Sequence, residues 1–149
     1  MVDAEEYERW RSEASRALEG AGAQADRDLY NWACFSSEQA AKLALKGLLH
    51  GIGRGPWGHD LDRLIETARE AGVAIGDEAA SAGHRLGRHY IPARYPDAHA
   101  AGNPGRHYDE ADWRQALRDS QAIIQIVDEA WDALQGKRFS PRAEEINWN

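Results

Sequence analysis

The chain reads as an all-α protein, an antiparallel up-and-down bundle of four to five helices. Three observations predict this. No run of alternating β-branched residues occurs, so strand signals are nearly absent. Apolar residues recur instead at helical spacing in several segments. The breaks between those segments are mostly short and carry Gly, Pro or Asp.

The first helix is expected from Asp3, with Glu6 three residues on as a capping-box-like pair. Tyr7, Trp10, Ala14, Ala17 and Leu18 share one face, and Gly20 and Gly22 are expected to end it. Asp26 suits the cap of a second helix. From Leu29 to Leu49 that helix is apolar over most of its circumference (Leu29, Trp32, Ala33, Phe35, Ala40, Leu43, Ala44, Leu48), which places it centrally. The run Gly51, Gly53, Gly55, Pro56 breaks it. A short third helix follows His59-Asp60, one of which is expected to cap it, and Leu61, Leu64, Ile65 and Ala68 face inward until Ala71-Gly72 stops it. Asp77 is expected to cap a fourth helix running to about His89. A long Pro- and Gly-rich loop, from Ile91 to Tyr108, cannot continue as α-helix. Asp109 caps the last helix, with Glu110 and Asp112 in its first turn. Trp113, Ala116, Leu117, Ile124, Val127, Trp131 and Leu134 make its stripe, and Gly136-Lys137-Arg138 ends it. Residues 1–136 are thus expected to form one bundle, and 137–149 a polar, loose tail in which Trp148 can dock.

Composition narrows the function classes. One domain is the default at 149 residues, and 42% hydrophobic content supports a proper core. A formal charge of −7 argues against a general nucleic-acid coat, which needs a basic surface, yet permits a local phosphate site. No apolar run approaches the roughly 20 residues of a membrane span. The acidic N-terminus has no signal-peptide pattern, so a cytoplasmic location is expected. The single cysteine, Cys34, rules out an internal disulfide and a multi-thiolate zinc site; within an apolar helix it reads as a small core residue. No metal or other cofactor is expected.

The chemistry-bearing residues concentrate in Gly83–Tyr108. This stretch holds His84, His89, His99, His107, Arg85, Arg88, Arg94 and Arg106 against one acid, Asp97. Histidine titrates near neutral pH and arginine grips phosphate with a planar fork. Arg85, Arg88 and His89 can share one side of the fourth helix and line a nucleotide or RNA cleft. On the second helix, Lys42 and Lys46 form a small basic edge facing solvent. Glu38 and Gln39, polar in an apolar helix, need partners and can orient Arg94 or line a cleft between two copies. Trp57, in a glycine-rich loop, is an exposed ring on which a base could stack.

Three patches, in order, resemble a known family: CFSSEQAAKLALKGLL (Cys34–Leu49), HDLDRL (His59–Leu64) and YIPARYPD (Tyr90–Asp97), followed by a Pro-Gly loop and a long amphipathic helix. The chain is similar, from Trp10 to Leu134, to the HEPN domain, the "higher eukaryotes and prokaryotes nucleotide-binding" family. The resemblance implies a small helical bundle that dimerises through the face holding its polar motif. It also implies nucleotide or RNA binding by Tyr90, Tyr95 and Asp97 beside Arg85, Arg88 and His89. Many catalytic members are metal-independent ribonucleases with an Arg-x4–6-His motif, matched here by Arg94 and His99. In that chemistry His99 would take the 2′-OH proton, Arg94 would hold the phosphate, and a second copy would supply the acid. Many prokaryotic members are toxins neutralised by a minimal nucleotidyltransferase; that enzyme is not in this chain, since no Gly-Ser followed by paired aspartates appears. The alternative is a non-catalytic module that binds a nucleotide or docks a partner; Arg94 then anchors loop carbonyls or Asp97, and His99 is a solvated loop residue.

Overall fold

The computed structural model describes residues 2–137 and 142. Five α-helices form the antiparallel bundle: α1 (Ala4–Asp26), α2 (Tyr30–Gly51), α3 (Leu61–Glu70), α4 (Asp77–Gly87) and α5 (Glu110–Leu134). No strand occurs among the described residues. None of their helices is long and apolar enough to cross a membrane.

Helix α2 contacts each of the other four, as its all-round apolar character predicts. Small residues permit the close approach of α1 and α5: a β-carbon on Gly47 would sit 2.8 Å from Trp10 Cβ, and one on Gly51 would strike Trp131. Cys34 is wholly buried in this core, and burial pushes its thiol up to about 12. Tyr7 stacks on Trp131, and the buried Arg11 forks onto Asp128 at 2.7 and 2.9 Å, tying α1 to α5.

Several boundaries differ from expectation for physical reasons. Helix α1 runs through Gly20 and Gly22 to Asp26. Ala21, Gly22 and Ala25 are buried, and that packing outweighs the ~1 kcal/mol cost of a helical glycine. Asp26 therefore closes α1 instead of capping α2, whose N-cap is Leu29 without a side-chain bond. The turn between them uses Asp28 at φ +60°, a left-handed conformation that aspartate tolerates. Asp60 caps α3 by accepting from the Asp62 amide. Gly76 rather than Asp77 caps α4, and α4 stops at Gly87, which leaves His89 in a turn. Asp109 and Asp112 form a complete capping box on α5. Leu134, assigned to the buried stripe, is half exposed; Gly136, at φ +67°, follows the helix end. Trp148 and most of the tail lie outside the described residues.

The long loop between α4 and α5 is ordered into two 3-10 turns, Pro96–Ala98 and Pro104–His107, each opened by its proline. Asn31 of α2, buried, donates from Nδ2 to the carbonyl of the buried Ala93 at 2.9 Å and pins the loop to the core helix. The α2 face that receives the loop is where that helix is not fully buried: Leu29 and Trp32 are exposed and Phe35 is half-buried.

Candidate functional site

Pinned at Ala93, the loop presents Arg94 to that face. Arg94 Nε donates to the Tyr90 carbonyl at 2.7 Å. This bond lays the guanidinium over three rings, with centroids at 4.4 Å (Phe35), 4.5 Å (Tyr90) and 4.9 Å (Tyr95). The terminal nitrogens make no hydrogen bond among the described residues. The result is a cation held in one orientation with its fork still open.

Tyr90 is the hub of the arrangement. His59 stacks on its ring at 5.2 Å, and Lys42 Nζ lies 3.9 Å from its centroid. Lys42 is 3% exposed, so the solvent-facing basic edge expected of it does not form; the loop covers it. Its ammonium sits 3.0 Å from each oxygen of the fully buried Glu38. Only Oε1 is aligned for hydrogen bonding, to Lys42 and Gln39 Nε2, so the ion-pair contact at Oε2 leaves that oxygen without a donor. Burial pushes the Glu38 carboxyl up and the Lys42 ammonium down, each opposed by the other's charge. His59 is lowered by burial and by the cations Lys42, Lys46 and Arg94, which marks this face as electropositive in an acidic protein.

The other predicted residues have separate places. Arg85, Arg88 and His89 do not share one side. Arg85 pairs with Asp119 of α5 at 2.8 Å. His89 is buried, with Nδ1 3.1 Å from the Tyr108 hydroxyl. Arg88, exposed and without an ion pair among the described residues, borders a cleft with His59, Tyr90 and Pro92. The cause is the early end of α4, which turns His89 inward. Tyr95 is exposed beneath Arg94. Asp97 lies exposed in the first 3-10 turn, and Arg94 takes the Tyr90 carbonyl instead of it. His99 Nε2 donates to the Pro92 carbonyl at 2.7 Å, and its ring stacks on His107. No hydrogen bond or ring contact joins Arg94 to His99; the Pro96 turn sends the two side chains to different neighbours. Trp57 is 85% exposed. Among the described residues no three His, Cys, Asp or Glu side chains gather as metal ligands.

His89 makes the bundle acid-sensitive. Burial, then the charge of Arg88, lowers it from 6.5 to about 4. The folded state therefore takes up this proton less readily than the unfolded chain. The stability it contributes is complete above pH 6.5 and is lost as pH falls toward 4, by up to roughly 3 kcal/mol. His89→Gln is expected to flatten the denaturation midpoint across that window. A variant that loses stability on acidification as steeply as the parent would refute the assignment.

The HEPN domain family model matches residues 7–130. This chain belongs to the HEPN domain family. The solved structure of TT1696 from Thermus thermophilus is 37% identical with a TM-score of 0.80, over 83% of this chain and 97% of that one. ST0689, an archaeal HEPN homologue, is 30% identical with a TM-score of 0.69, over 81% and 93%. A HEPN domain protein from Thermotoga maritima is 26% identical with a TM-score of 0.59, over 85% and 98%. No curated protein matches the chain. In this HEPN domain, α2 and the Tyr90–Asp97 loop thus build one electropositive, aromatic face. The Glu38–Lys42 pair was legible only as two opposite charges four residues apart inside an apolar helix. Phe35 and His59 carried no sequence signal beyond core and cap.

Proposed function

We propose that this HEPN domain binds the phosphate of a nucleotide or an RNA at Arg94, on a face shared by two copies of the chain. The carrying observation is the guanidinium held by the Tyr90 carbonyl over three rings with its terminal nitrogens open. A cation fixed before the ligand arrives loses little side-chain freedom on binding, and a fork suits phosphate oxygens. The exposed Trp32 and Tyr95 rings offer stacking surfaces, worth about 1–3 kcal/mol per base. Leu29 and Ile91 add exposed apolar surface, which a second copy would cover while bringing two Arg94 forks into one cleft.

Binding is favoured over cleavage because His99 donates Nε2 to a carbonyl and has neighbours other than those of Arg94. The ribonuclease and toxin readings both require His99 at the bound phosphate. The test is anisotropy of a labelled oligoribonucleotide, with AMP as competitor, beside incubation with total RNA in EDTA. Expected are salt-dependent binding, a dimer by light scattering, and intact RNA. RNA ends bearing 2′,3′-cyclic phosphate that disappear in His99→Ala would replace this reading with the nuclease one.

A further inference from the structure

The face built around Tyr90 does not end at Arg94. Rings and cations continue along α2 as a chain of neighbours. Trp32, 41% exposed, meets Phe35 edge-on with centroids 6.3 Å apart. Phe35 lies under Arg94 at 4.4 Å, Arg94 over Tyr90 at 4.5 Å, and Tyr90 against His59 at 5.2 Å. Beyond His59 come two further groups. Lys46 stands one turn past Lys42 on the same side of α2, half-buried, and makes no ion pair among the described residues. Trp57 precedes His59 by two residues, so their Cα atoms lie within about 7 Å, and its ring is 85% exposed.

We propose that this row is a track for single-stranded RNA, running from the Arg94 phosphate site past His59 to Lys46 and Trp57, and that the ligand is a segment of several nucleotides rather than a mononucleotide. The inference rests on the RNA-binding reading of Arg94 and extends it.

Single-stranded nucleic acid is held by rings that stack on bases and by cations that follow the backbone. The row interleaves both. The charge of Lys42 is met by Glu38, so Arg94 and Lys46 are the cations left for phosphate, one on each side of the Tyr90–His59 stack. From Trp32 to Lys46, α2 is about 21 Å long. A stacked strand advances about 3.4 Å per nucleotide, so the row has room for about six.

The acids beside the row decide which part of the ligand goes where. Asp60 accepts from the Asp62 amide, and Asp62 meets His84 at 2.9 Å. With Leu61, Gly87 and Pro92 they line a cleft of about 540 Å³ that shares His59 and Tyr90 with the row. The carboxylates repel phosphate, and the apolar wall suits a planar base. A nucleotide at His59 therefore turns its base toward the cleft and keeps its phosphate on the row.

The experiment measures anisotropy of labelled oligoribonucleotides of increasing length, a dinucleotide, a tetranucleotide and an octanucleotide, on the full chain at several salt concentrations. Affinity is expected to rise at least about tenfold from the dinucleotide to the octanucleotide. Lys46→Gln should weaken the octanucleotide about three- to tenfold and reduce the salt slope by about 0.7, the share of one phosphate contact on a single strand. Trp57→Ala should weaken it at least about fivefold, and Trp57→Phe, which keeps a ring, should recover most of that loss. Both Lys46→Gln and Trp57→Ala should leave the dinucleotide, held at Arg94, within about twofold. Arg118→Gln removes the same charge from an exposed position on α5, outside the row, and should leave all three ligands within about twofold. Equal affinity for dinucleotide and octanucleotide, an octanucleotide unaffected by Lys46→Gln and Trp57→Ala, or an equal loss in Arg118→Gln would each overturn the track. Arg94→Ala separates the two readings. Octanucleotide binding lost with Arg94 but unchanged at Lys46 and Trp57 removes the track and keeps the Arg94 site; binding kept without Arg94 but lost without Lys46 does the reverse. A parent protein that binds none of the three removes both.

Discussion

Arg94→Ala is expected to lower affinity for a short oligoribonucleotide by ten- to a hundredfold at fixed salt, with the fold unchanged. A hydrogen bond to a charged group contributes about 1.5–3 kcal/mol, and Arg94 presents two open nitrogens. Arg94→Lys is expected to recover little. A lysine cannot donate to the Tyr90 carbonyl and reach a phosphate with the same rigid plane, and its ammonium does not stack on Phe35, Tyr90 and Tyr95 as a guanidinium does. Anisotropy titrations of the three proteins measure this, with thermal melts as the control on folding. Affinities within twofold of the parent for Arg94→Ala would remove the side chain from the site.

The largest stability effect is expected at Glu38 and Lys42. Either single change, Glu38→Leu or Lys42→Met, strands one charge in the core and should cost about 3–5 kcal/mol, a large share of the 5–15 kcal/mol typical of a domain. The double variant should recover much of that loss, because two apolar side chains of similar volume have no charge left to desolvate. Urea denaturation of all four proteins closes the cycle. Single variants that each lose less than about 1 kcal/mol would show that the pair is not a unit. The double variant also separates stability from function. Lys42 Nζ supports the Tyr90 ring that carries Arg94, so a refolded double variant with weakened RNA binding would make Lys42 a positioning residue of the site.

Much of the fold was open to a reader of the sequence. The apolar period of α2, the Asp60 and Asp109 caps, the breaks at Gly53 and Gly72, and the three family-like patches are local signals, and local signals survive into the structure because caps and periodicity act within one or two turns. Helix α1 running through two glycines was not legible, because the packing that overrides them comes from residues distant in sequence. The site divides in the same way. That Arg94 and the histidines of the loop are the chemistry-bearing residues is a statement about composition, and the sequence alone sufficed for it. Which of them meet was decided by tertiary structure. The Asn31–Ala93 bond and the Pro96 turn set Arg94 over Phe35 and Tyr90, sent His99 to Pro92 and His107, and buried Lys42, while the early end of α4 buried His89. Contacts between residues tens of positions apart depend on how the loop closes against α2, and no spacing rule within a helix or turn encodes that closure.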